Sequence, residues 1–145
     1  MTQQAKKRII IFSFLLLVLT PSLYILYSAW KVVNQESNQG AAYRSLERIR
    51  DAQLDFNKKN GRYGSLIDLT KADLIPPEIL RPSNHGYRFE VKTGNNGYVA
   101  TGTPVRVGRF ATGFVSYFLD ESGKIRGDRK SGVKATIEDP VLPEP

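Results

Sequence analysis

At 145 residues and 16.3 kDa, with 41% apolar residues, the chain has room for one domain of ordinary size beside whatever its N-terminus does. It has no cysteine, which excludes disulfides, a lipoprotein anchor, thiolate metal sites and cysteine nucleophiles. Of the formal charge of +7, Lys6, Lys7 and Arg8 supply three, and the remainder is too dilute over residues 31–145 to single out nucleic acid as a partner.

Residues 9–30, IIIFSFLLLVLTPSLYILYSAW, carry no charged side chain. At ~1.5 Å per residue a helix of this length rises roughly 30 Å, the thickness of bilayer hydrocarbon, so the segment reads as a membrane span whose partner is lipid. The basic triplet before it places residues 1–8 in the cytoplasm and everything after Trp30 on the far side of the membrane, by the positive-inside rule. Tyr24, Tyr27 and Trp30 then fall where an aromatic belt belongs. The run is longer than a signal-peptide core, and bulky Tyr27 two positions before Ala29 spoils the cleavage pattern, so a permanent anchor is preferred to a removed signal. Pro21 removes one helical hydrogen bond and predicts a kink within the span.

From residue 34 to residue 60, Ala42, Leu46, Ile49, Gln53 and Phe56 recur at spacings of three and four, the stripe of an amphipathic helix. Arg44, Glu47, Arg48, Arg50, Asp51 and Lys58 fill the other face. Gly61 ends this helix, Lys58 and Lys59 complement its negative pole, and Tyr63 can fold back on the stripe. Ser65 opens a second, short helix through the Ser-x-x-acid pattern of SLID, although Asp68 reaches back less well than glutamate. Leu66, Leu69 and Leu74 form its buried side, and Pro76-Pro77 are expected to end it.

The period then changes to two. YRFEVKT alternates Tyr87, Phe89 and Val91 against Arg88, Glu90 and Lys92, GNNG turns the chain, and YVATGTP follows as a second strand. FVSYFLD makes a third, and DESG leads to a short fourth around residues 124–126. The sum is an α+β plan: an N-terminal transmembrane helix, then an amphipathic helix packed on a small antiparallel meander. Residues 31–127 form the folded domain, and residues 128–145, charged and proline-rich without periodicity, read as a flexible tail.

The inventory for chemistry is thin. His85, the one histidine, lies in a turn sequence. Asp120 and Glu121 precede Gly123 in a turn that accounts for Asp120 without catalysis, and neither a nucleophile–base pair nor metal-ligand spacing appears. No enzyme activity, cofactor or metal is expected.

The ordered segments AAYRSLERIRDAQLDFNKKNGRYGSLIDL, HGYRFEV, GYVATGTPV and SYFLDESGKIR span residues 41–127. Together with the membrane helix they resemble the type IV pilin and type II secretion pseudopilin superfamily. The N-terminus departs from that family's pattern: AKKRIIIFSFLLL has no glycine before the apolar segment and no acidic residue within it. The resemblance therefore implies a pilin-like domain on a permanent anchor, acting in assembly or scaffolding through other pilin-like or secretion-system subunits. It implies a core of Tyr43, Leu46, Ile49, Phe56 and Tyr63 on the helix side against Phe89, Val91, Val99, Phe114 and Phe118 on the sheet, with Arg44 and Arg48 available to partners and Gly61 and Gly123 at the corners. The competing expectation is an anchored extracytoplasmic module whose meander and Arg-rich loops bind a cell-envelope ligand.

Overall fold

The computed structural model describes residues 3–130 and 132–143. Residues 1–2 of the basic N-terminus and 144–145 of the expected tail lie outside the described residues. The first element, α1 (Gln3–Asn60), is a single helix that continues through both Pro21 and Gly40. The chain divides into two units, residues 1–34 and residues 35–145.

In the first unit the helix carries an 18-residue window of mean hydropathy 1.8 with no part buried, so it is long and apolar enough to cross a membrane. Its hydroxyls bond to the helix's own carbonyls. Thr20 Oγ1 donates to Leu16 O at 2.9 Å and Ser22 Oγ to Val18 O at 3.0 Å, on either side of Pro21. An apolar surrounding requires that polar groups be satisfied in this way.

In the second unit the 3.6-residue period decides the packing. Ala42, Leu46, Ile49 and Gln53 are all 0% exposed and Phe56 is 6% exposed, while Arg44, Arg48 and Lys58 stay in solvent. The helix stops at Gly61, whose φ of 67° is left-handed and whose N–H donates to Asn57 O at 2.8 Å. Ser65 then caps α2 (Leu66–Lys71) with a complete capping box: Asp68 N donates to Ser65 Oγ, and Ser65 N donates to Asp68 Oδ2 at 3.0 Å. The shorter aspartate does reach back. These bonds from Ser65 hold the Asp68 carboxyl below its ordinary value.

α2 ends before the prolines, contrary to expectation. Ala72 N returns to Asp68 O and Leu74 N to Leu69 O, with Asp73 at φ 56°, so the chain has already turned. Pro76 and Pro77 instead open a 3-10 turn, Pro77–Leu80, where a missing N–H costs nothing, and this turn buries Ile79.

The sheet is a four-stranded antiparallel meander in sequence order: β1 (Tyr87–Thr93), β2 (Tyr98–Pro104), β3 (Val115–Asp120) and β4 (Arg126–Arg129). The chain enters β1 through a tight turn in which Asn84 and Tyr87 exchange both backbone bonds, with His85 at φ 49° and Gly86 at φ 75° between them. Two successive positive φ angles are the pattern of a type I′ turn. The fold is therefore α+β, a long N-terminal apolar helix followed by an antiparallel sheet.

Side-chain parity on the central strands corrects part of the expected core. Register pairs Val91 with Ala100 and Ala100 with Leu119, so the helix-facing row contains Phe89, Val91, Tyr98, Ala100, Tyr117 and Leu119. Val99 and Phe118 belong to the opposite parity, and Phe114 lies before β3 at 38% exposure. Phe118 is nonetheless buried, because the other face of the sheet is covered too.

That cover is the C-terminal segment, expected to be a mobile tail. β4 begins two residues later than anticipated, and the chain beyond it returns along the β4 edge. Gly127 N donates to Pro140 O at 3.0 Å and Leu142 N to Ile125 O at 2.9 Å. Lys130 Nζ pairs with Asp139 Oδ1 at 2.7 Å, Thr136 N donates to Asp139 Oδ2, and Lys134 pairs with Glu90 of β1. These contacts fasten the segment by ion pairs and main-chain bonds rather than by an apolar stripe.

Candidate interaction surface

The nine residues singled out from the sequence fall into four groups. Tyr43, Leu46, Ile49 and Phe56 are buried, at 8%, 0%, 0% and 6% exposure, and support the domain rather than meet a ligand. Gly61 and Gly123 (φ 73°) are corners. Tyr63 is half-buried, its ring 5.0 Å from that of Tyr98, and so links the helix corner to β2. Arg44 and Arg48 remain exposed on the face of α1 that the sheet leaves uncovered.

Asp120 is 7% exposed and turned into its own loop, where Oδ1 accepts from Ser122 N at 3.0 Å and Gly123 N donates to Asp120 O. His85 is exposed in the turn before β1. Among the described residues no three His, Asp or Glu side chains converge to hold a metal ion. The ionisable side chains that burial perturbs most are tyrosines packed beneath the sheet. Burial pushes the Tyr117 hydroxyl up to about 12 and raises Tyr87 and Tyr98 further. Tyr87 donates to Val115 O at 2.9 Å and Tyr117 to Gln39 O at 3.2 Å. These two phenols, held neutral and bonded to main-chain carbonyls, lock β1 to β3 and β3 to the helix, which is a structural use.

Two features of the surface had no signal in periodicity. The first is a pair of grooves on the outer sheet face, of about 360 and 320 Å³, that share the Glu90–Lys134 ion pair as their common wall. The second groove is the more apolar, with Val99, Phe118, Ala135 and Ile137 in its lining. Lys134 holds the Glu90 carboxyl below its ordinary value.

The second feature is the loop of residues 105–114, which three polar side chains of α1 hold at its base. Gln35 Nε2 donates to Ala111 O at 2.8 Å, Asn38 Nδ2 to Thr112 O at 2.9 Å, and Gln39 Oε1 accepts from Phe114 N and Val115 N at 3.2 Å. Thr112 Oγ1 closes the base by donating to Gly86 O at 2.6 Å. The tip is left in solvent: Val107 is 50% and Phe110 61% exposed, each next to an exposed arginine, Arg106 and Arg109. The run of glutamines and asparagines at 34–39 was the available cue, since such side chains on a helix can satisfy the main chain of an irregular neighbour.

No family model, curated protein or solved structure matches the chain. The fold and these surfaces are what bear on its function.

Proposed function

We propose that this protein is a non-enzymatic, single-pass inner-membrane protein with a pilin- or pseudopilin-like periplasmic domain, serving assembly or scaffolding in a secretion or pilus system. The observation that carries the reading is α1: one helix bears a charge-free apolar run at 9–30 and, further along, the stripe Ala42 to Phe56 buried in a domain with an antiparallel sheet. The basic triplet at 6–8 supports a cytoplasmic N-terminus. The uncovered helix face with Arg44 and Arg48 is the surface offered to neighbouring subunits.

A photo-crosslinking residue in place of Arg48, in the native cells, tests this. Adducts identified by mass as pilin-like or secretion-system subunits, absent when the crosslinker stands at Asn95, are expected. Equal labelling from both positions would sink the scaffolding role. It would favour a second reading, an anchored module that binds an envelope ligand in the apolar groove beside Phe118.

A further inference from the structure

We propose that the tip of the loop at 105–114 is a second membrane contact, a peripheral anchor that lies in the anionic headgroup layer beside the helix. The inference rests on the membrane-anchor reading above and adds a lipid-binding surface to the folded domain.

Four observations point to it. The tip combines apolar and cationic side chains and nothing acidic: VRVGRFATGF contains two arginines and no carboxylate. Val107 and Phe110 are exposed by half or more, on a base fixed by the bonds from Gln35, Asn38, Gln39 and Thr112, so their exposure is preorganised. This composition, apolar side chains flanked by lysine or arginine, is what an interfacial element presents to a lipid surface.

The arginines are also free for anionic groups. Among the described residues none of Arg106, Arg109 and Arg129 makes an ion pair, whereas Lys130 and Lys134 close by do. Arg109 lies 6.0 Å from the Phe110 ring centre and Arg129 lies 5.3 Å from that of Phe114, so each cation sits on an aromatic face and keeps its charge. A protein partner of this loop would have to bring its own carboxylates; a bilayer supplies phosphates in a continuous layer.

Chain length then puts the loop within reach. Its base is bonded to Gln35, five residues after Trp30, and five residues span at most about 18 Å in any conformation. That length is the most that can separate Trp30 from the residue to which the loop is bonded. A basic, aromatic tip so tethered meets lipid at high effective concentration, and single weak contacts become lasting ones when a second anchor is already in place.

The absence of native cysteine makes the test clean. Full-length protein carrying an environment-sensitive fluorophore on Val107→Cys is reconstituted into phosphatidylcholine vesicles with and without phosphatidylglycerol, each also containing a lipid with a headgroup-proximal nitroxide quencher. Asn95→Cys, in the turn at the opposite end of the β1–β2 hairpin, is the control. Strong quenching at 107 in anionic vesicles, little at 95, and a loss with added salt are expected. Each of Arg106→Glu and Arg109→Glu should lower the bound-to-free ratio of the loop by about fivefold or more. Both side chains are exposed, so these variants leave the fold intact.

Equal quenching at 107 and 95 in protein that floats with the vesicles would overturn the loop proposal and leave the anchor standing. A blue-shifted but unquenched probe at 107 would also overturn it, because a protein surface then covers the tip. Protein that fails to float would remove the anchor reading and this proposal together.

Discussion

Gln53 and Gly64 are joined by a reciprocal pair of hydrogen bonds: Gln53 Nε2 donates to Gly64 O at 2.7 Å, and Gly64 N donates to Gln53 Oε1 at 2.9 Å. Gln53 is 0% exposed, in the middle of the apolar stripe of α1. Its amide replaces the strand-like partner that the corner between α1 and α2 lacks, and holds that corner against the helix. Gln53→Leu keeps the volume but leaves two buried main-chain groups unpaired. We expect a loss of about 2–4 kcal/mol in stability, measured by chemical denaturation of the detergent-solubilised protein. A loss under ~0.5 kcal/mol would mean that water reaches the corner.

Two glycines separate backbone strain from crowding. Gly61 has φ 67° and no atom within 4 Å of where a Cβ would sit, so Gly61→Ala should cost only the left-handed penalty, about 1 kcal/mol. Gly113 has an ordinary φ, but a Cβ there would overlap the Tyr87 ring and hydroxyl. Gly113→Ala must displace Tyr87 from Val115 O, and we expect about 2–3 kcal/mol. Thermal melts of the two variants should rank in that order.

The cover of the outer sheet face depends on pH. The Lys130 ammonium beside Asp139 is the main reason that the Asp139 carboxyl lies below its ordinary 3.8, with the Thr136 amide assisting and burial opposing. Because the folded state favours the carboxylate, the stabilisation is fully present above pH 3.8 and is lost as pH falls through the lower folded value. Amide exchange at Gly127 and Leu142, corrected for intrinsic rates, should therefore accelerate on acidification below that pH. Asp139→Asn should raise both rates already at pH 7 and flatten their pH dependence. Asp68 and Glu90 titrate in the same direction, so the site-resolved amides isolate the effect of Asp139.

Ser65→Ala removes the acceptor of Asp68 N and half of the capping box. A six-residue helix has little stability of its own, so we expect about 1 kcal/mol in the global stability and faster exchange at the Leu69 amide, which bonds to Ser65 O.

How far the sequence revealed this fold follows from which forces leave a period behind. The stripe of α1 and the alternation of β1 were legible because one face of each is apolar and the other charged. β3 was legible as a strand but not in its facing: FVSYFLD is apolar on both parities, and the choice of Phe118 over Tyr117 and Leu119 for the helix-facing row failed because both faces of that strand are covered. The cover itself left no signature. Residues 132–142 are held through Asp139, Lys130, Lys134 and main-chain bonds at Gly127 and Leu142, and such contacts have no repeat. The attachment of the loop at 105–114 to the helix was hidden for the same reason, since Gln35, Asn38 and Gln39 act singly on its backbone.

Everything proposed for this protein depends on the charge-free segment staying attached as a permanent anchor for the folded domain. The intact mass of the protein extracted from carbonate-washed membranes, in a host with a prepilin peptidase, reports on that attachment without intermediate steps. We predict the full 16.3 kDa chain, unmethylated and retained in the membrane fraction. A chain shortened at or before Ile9 and methylated would make it a processed filament subunit, and a soluble chain lacking the residues up to Ala29 would contradict the anchor itself.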